Sequence, residues 1–189
     1  MASELETFSV DINGFSSRVW KKGVGPPLGF LAGFGGLPRW IPFLDILARE
    51  RTVTVPSLPG FPGGARGHTV LDSHLDWVLA VRQLLQKAGL DGADLAGSSV
   101  GASFAAETTA FWPLGNTRLE KRLPLIAAPT LLIWGAEDRI MPRSYADRFA
   151  AAIAGEARIT TIAGAGHLAE LDKPDEIASA ILRWIKEGS

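Results

Sequence analysis

The chain has 189 residues, with 19 Lys+Arg against 20 Asp+Glu, 3 His and no Cys. That length suits one domain, or two only if both are small, and it buries a core without covalent staples. No Cys excludes a disulfide framework and cysteine metal clusters, and a net charge of −1 excludes a bulk electrostatic case for nucleic acid or anionic membrane.

An apolar content of 47% argues against disorder. No run approaches the ~20 apolar residues of a membrane span. Met1 to Asn13 carries acids and alternates polar with apolar residues, unlike a signal peptide. A soluble cytoplasmic chain is expected, without metal or cofactor.

In chain order, Thr7, Ser9 and Asp11 alternate with Phe8, Val10 and Ile12, the pattern of a half-buried strand. Phe15 to Lys22 pairs with it as a hairpin across Asn13-Gly14, a strong turn signal. Leu28 to Leu31 is a short strand ending in the Gly-rich turn Ala32–Gly36. Pro38 to Arg51 reads as a helix and Thr52 to Val55 as a buried strand. Pro56 to Val70 is a Pro/Gly loop, and Asp72 to Ala88 a helix that Gly89 caps. Asp94 to Ala96 is a strand, followed by a helix to about Trp112.

Thr130 to Trp134 is a buried strand, Pro142 to Ala154 a helix, and Arg158 to Ile162 a last strand. Pro174 to Lys186 closes the series as a helix, with Pro at its start. Strand–helix alternation predicts an α/β class: a mostly parallel sheet with helices on both faces, forming a single domain over 1–189. Its chemistry belongs at the carboxyl ends of the strands.

Gly97-Ser98-Ser99-Val100-Gly101 fits G-x-S-x-G between a strand and a helix. Such a turn lifts the central Ser clear of the sheet, and small neighbours let backbones approach. Ser99 is the candidate nucleophile, with Ser98 beside the pocket. Asp138, just past the strand Thr130–Trp134, is the candidate orienting carboxylate, with Glu137 in reserve. His167, in Gly164-Ala165-Gly166-His167, is the candidate general base. The order Ser, Asp, His along successive strand ends is that of a nucleophile–acid–base triad. The turn Ala32–Gly36 supplies half of an oxyanion hole through the Phe34 N–H, and Val100 N–H the other half. Gly33, Ser98 and Phe61 are candidate substrate contacts. His68 lies in the Pro/Gly loop, and His74 is expected to face solvent from a helix.

Together these residues resemble the α/β-hydrolase superfamily, serine-nucleophile branch, over Leu28 to Ile185. The resemblance implies Ser99 as nucleophile, Asp138 as acid and His167 as base. Trp134 to Asp138 with Pro142 is similar to the family's acid loop, Gly164 to His167 to its histidine loop, and Pro56 to Phe61 to the segment after its fourth strand. Two departures stand out. Ala32 replaces the His that often precedes the oxyanion Gly. Pro113 to Pro129 is too short for a sixth strand and a helical cap, and Pro124 argues against a strand over Arg122–Ala127. The resemblance therefore implies a shortened, capless core.

The expected activity is hydrolysis of small-molecule carboxylic esters, short acyl chains first, through an acyl-enzyme. Alternatives are C–C bond hydrolysis of diketone acids and a non-catalytic interaction module. Apolar surface left by the missing cap, with Phe34, Trp40, Phe61 and Trp112 as candidates, is expected to drive a dimer or higher oligomer.

Overall fold

The computed structural model describes residues 4–109 and 122–188. It divides into two compact units, Met1–Thr108 and Thr109–Ser189.

The first unit is built on a five-stranded sheet of order β1-β2-β4-β3-β5. Strands β1 (Glu6–Ile12) and β2 (Phe15–Lys22) form the expected hairpin. Asn13 and Gly14 have φ of 54° and 83°, which a tight two-residue hairpin turn requires. β4 (Thr52–Pro56) runs antiparallel to β2 and parallel to β3 (Pro27–Leu31), and β5 (Asp94–Gly97) runs parallel to β3.

Alternating side chains of β3 dress both faces of this sheet. Phe30 packs edge-on against Phe43 of α1 (Pro42–Leu47) at 5.4 Å between ring centroids. Leu31 joins the opposite cluster with Val81 and Leu84 of α2 (His74–Lys87) and Phe104 of α3 (Val100–Thr109). α3 is thereby anchored through its middle, with its N-terminus at the end of β5.

α1 is shorter than the helix expected over Pro38–Arg51. Pro42 starts it, and Trp40 lies outside it with its indole N–H donating to Asp45 Oδ1 at 2.9 Å. α2 opens on a capping box, Ser73 and Asp76 each accepting from the other's backbone N–H, and Gly89 follows it at φ 75°. The Pro/Gly loop contains a 3-10 turn over Arg66–Val70.

The second unit holds the parallel pair β6 (Thr130–Gly135) and β7 (Ala157–Ile162), in register from Thr130↔Ala157 to Gly135↔Ile162. α4 (Ser144–Ala152) and α6 (Pro174–Glu187) pack on it, and a short helix, α5 (Ala169–Asp172), precedes α6. α4 starts two residues later than the sequence suggests, because Pro142 and Arg143 form a turn whose carbonyls receive the amides of Tyr145 and Ala146. Residues 122–129 contain a 3-10 turn at Leu123–Leu125 and no strand, as Pro124 leads one to expect. The expected extension of the nucleophile helix to Trp112, and the short span available for a cap, fall largely on 110–121, outside the described residues. Among the described residues no helix is long and apolar enough to cross a membrane.

Candidate active site

The first unit carries the candidate nucleophile. Ser99 stands between β5 and α3 with φ 51°, a left-handed conformation rare for a residue with a side chain. That strain, about 1–2 kcal/mol, points to a role for this backbone shape. The surrounding glycines are required by space. A Cβ on Gly97 would lie 2.6 Å from the Ala102 amide nitrogen, and one on Gly101 would run into the carbonyl oxygens of Leu31 and Ala32. The turn is further tied by Ser98 N–H donating to Leu31 O (3.0 Å) and Gly101 N–H to Ser98 O (2.8 Å).

The turn after β3 closes beside it. Gly36 N–H donates to Gly33 O at 3.0 Å, and a Cβ on Gly33 would sit 3.3 Å from both Ser98 O and Ser99 Cβ. Phe34 is 86% exposed at the tip, with its ring edge-on to Phe61 at 6.0 Å. Gly36, at φ 62°, leaves room for Phe61, whose Cβ would lie 2.9 Å from a Cβ there. Val100 is the first residue of α3, where amides lack partners within the helix. The first unit thus gathers Gly33, Phe34, Phe61, Ser98, Ser99 and Val100. Of the apolar residues expected at the surface, Phe34 is exposed, Phe61 and Trp40 are half-buried, and Trp112 lies outside the described residues.

The second unit carries the candidate acid and base. Asp138 follows β6, and Asp138 Oδ2 stands 2.9 Å from His167 Nδ1. The other carboxylate oxygen, Oδ1, accepts the amides of Ile140 (2.8 Å) and Met141 (2.9 Å). Asp138 is 7% exposed and His167 21%. Burial raises the Asp138 pKa, but the Met141 amide, the His167 imidazole and the Ile140 amide together outweigh it and hold the carboxyl below its ordinary range. Glu137, the reserve candidate, is exposed.

Backbone contacts hold this pair. A Cβ on Gly135 would strike the carbonyl oxygens of Ala165 and Gly166, so the end of β6 and the histidine loop lie backbone to backbone. Glu137 N–H donates to Ala165 O at 2.9 Å, and Gly166 N–H to Asp172 Oδ2 at 2.8 Å. Trp134 closes the turn from below, its indole N–H donating to Met141 O at 2.8 Å. Asp172 lies outside every motif in the sequence, and the acid-loop resemblance includes Trp134 without marking its indole as a support.

His74 corrects a sequence expectation. Rather than simply facing solvent, it is partly buried, with Nε2 2.6 Å from Glu107 Oε2 and its ring stacked on Phe104 at 6.2 Å. Among the described residues no cluster of metal-ligating side chains occurs.

An α/β-hydrolase family model matches residues 102–180. A pimeloyl-[acyl-carrier protein] methyl ester esterase of Xanthomonas oryzae pv. oryzae is 38% identical over 72 residues, 38% of this chain; the chain covers 28% of that protein's length. Among solved structures, a predicted CIB-like hydrolase from Thermoplasma acidophilum superposes with a TM-score of 0.81 at 19% identity, over 98% of this chain and 99% of that one. A 2-hydroxy-6-oxo-6-phenylhexa-2,4-dienoate hydrolase from Rhodococcus sp. strain RHA1 superposes with a TM-score of 0.78 at 14% identity, over 97% of this chain and 99% of that one. At such identities the likeness establishes the fold.

Proposed function

We propose that this chain, which has the α/β-hydrolase fold, hydrolyses carboxylic esters through an acyl-serine intermediate on Ser99. The observation that carries the reading is the left-handed Ser99, set between glycines that tolerate no Cβ at the junction of β5 and α3. The esterase activity named for the Xanthomonas relative supports it.

In this mechanism Ser99 Oγ attacks the acyl carbon and His167 takes its proton. Asp138 receives the Nδ1–H of His167, which leaves Nε2 as the base and stabilises the imidazolium that forms. The amides of Phe34 and Val100 hold the oxyanion, helped by the positive end of the α3 dipole. The alcohol leaves with the proton from His167, and water then releases the acid by the same route. Gly33, Ser98 and Phe61 line the acyl side. Short acyl chains are the first substrates to test. Exposed Phe34 favours self-association, and light scattering decides between a monomer and an oligomer. We place the active protein in the cytoplasm, a location in keeping with a chain that has no Cys.

The test is turnover of p-nitrophenyl acetate and butyrate by the chain and by Ser99→Ala, beside a vinylogous diketone acid. Ester turnover that collapses in Ser99→Ala supports the reading. Equal trace rates in both would overturn it, and Ser99-dependent turnover of the diketone acid alone would replace it with C–C bond hydrolysis.

A further inference from the structure

Arg18 lies on β2, away from every motif above. Its Nη2 donates to Leu37 O at 2.8 Å and to Pro62 O at 2.9 Å. Leu37 directly follows the Ala32–Gly36 turn, and Pro62 directly follows Phe61. One nitrogen thus joins the chain leaving the candidate oxyanion turn to the chain leaving the Phe61 loop.

The guanidinium is itself held. It stacks on Trp20, Cζ 3.5 Å from the ring centroid, and Trp20 meets Trp40 edge-on at 6.3 Å. Gly63, at φ 90°, passes so close that a Cβ there would lie 2.5 Å from Arg18 Cζ. The main chain of Arg18 is used too, its N–H donating to Gly63 O and its carbonyl accepting Ser57 N–H, both at 2.8 Å.

The guanidinium is also partly withdrawn from water. Arg18 Nε is buried with no hydrogen-bond partner among the described residues, and burial lowers the pKa of the guanidinium. A planar fork that stacks on an indole while aiming one nitrogen at two carbonyls is a geometry that lysine does not reproduce.

We infer that Arg18 is a positioning residue for ester hydrolysis: by bridging Leu37 and Pro62 it sets the Ala32–Gly36 turn, with its Phe34 amide, against the Phe61 loop. This rests on the ester-hydrolase reading for the role of the turn, and on the contacts alone for the clamp.

The experiment compares the chain with Arg18→Met, Arg18→Lys and Gly63→Ala, measuring kcat and KM on p-nitrophenyl butyrate and amide hydrogen exchange of residues 33–37. A displaced oxyanion donor costs about 10–100-fold in rate. Arg18→Met is expected to lower kcat by that factor with KM changed less than about threefold, and to speed exchange at 33–37 while α2 keeps its protection. Arg18→Lys should fall between, and Gly63→Ala, which pushes the guanidinium aside, should match Arg18→Met. Unchanged exchange at 33–37 in Arg18→Met would overturn the clamp. Faster exchange throughout the first unit, with kcat lost only in proportion to unfolding, would reduce Arg18 to a structural residue. If the parent and Ser99→Ala hydrolyse the ester equally, the ester-hydrolase reading fails by itself, and the exchange data decide the clamp alone.

Discussion

Asp138 divides its two carboxylate oxygens between different tasks: Oδ2 faces His167 Nδ1 at 2.9 Å, while Oδ1 is fixed by the amides of Ile140 and Met141. Asn at this position can keep the shape but not the charge. If its amide nitrogen turns toward His167, Nδ1 becomes the acceptor and Nε2 loses its lone pair. Asp138→Asn is expected to lower kcat on p-nitrophenyl butyrate by about 10²–10⁴-fold in protein that still folds. A loss below threefold would remove Asp138 from the proposed mechanism.

The same carboxyl sets an acid limit on stability. Its pKa in the folded chain is below the ordinary 3.8, so the folded state binds its proton less readily than the unfolded state. The stability it contributes is present above the unfolded value and lost as pH falls through the folded one. The urea midpoint should be steady down to about pH 5 and then decline, and Asp138→Asn should decline less steeply. Parallel curves for the two proteins would show that Asp138 does not take part in this linkage.

Two glycines offer a contrast. Gly101→Ala places a methyl against the carbonyls of Leu31 and Ala32, so backbone must shift and the nucleophile turn with it. Gly92, at φ 71°, has nothing within 4 Å of an added Cβ. Gly92→Ala should cost only the left-handed penalty, about 1 kcal/mol, and leave turnover intact. Gly101→Ala should cost more than about 2 kcal/mol and abolish turnover in whatever fraction still folds. Chemical denaturation and ester assays on both variants check this, and equal stability losses would contradict it.

His74 and Glu107 form a contact within the first unit that the proposed mechanism does not use. Glu107 is 3% exposed, so taking the imidazole away weakens the solvation of a buried carboxylate. His74→Ala should cost about 1–3 kcal/mol by urea unfolding while leaving the KM for p-nitrophenyl butyrate unchanged. A KM shift without a stability loss would move this pair from the core to the substrate.

Much of the fold was legible because its signals are local. Asn13-Gly14 specifies its turn within two residues, and the Ser99 junction announces itself in five consecutive positions. The helix expected over Pro38–Arg51 went astray because Ile41, Leu44 and Leu47 keep the right spacing on both sides of Pro42, whereas the Trp40 indole turns outside the helix to Asp45. His74 could not be placed because its partner is 33 residues away. Arg18 was invisible for a deeper reason. Its partners are main-chain carbonyls 19 and 44 residues distant, and a carbonyl carries no residue identity for a pattern to catch.

The strand order also dictates a sequence of events when the chain folds. β4 lies between β2 and β3, both of which precede it along the chain. Until Thr52–Pro56 emerges, β2 has only its hairpin partner, and β3 has neither of its neighbours, since β5 is later still. A nascent chain ending before β4 therefore carries the bare inner edge of β2 and an unpaired apolar β3, the kind of exposed edge that templates aggregation. Insertion of β4 covers the inner edge of β2 and one edge of β3 at once, leaving only the β5 side of β3 open, so premature termination or slow synthesis near residue 51 should be more damaging to yield than a pause after Pro56.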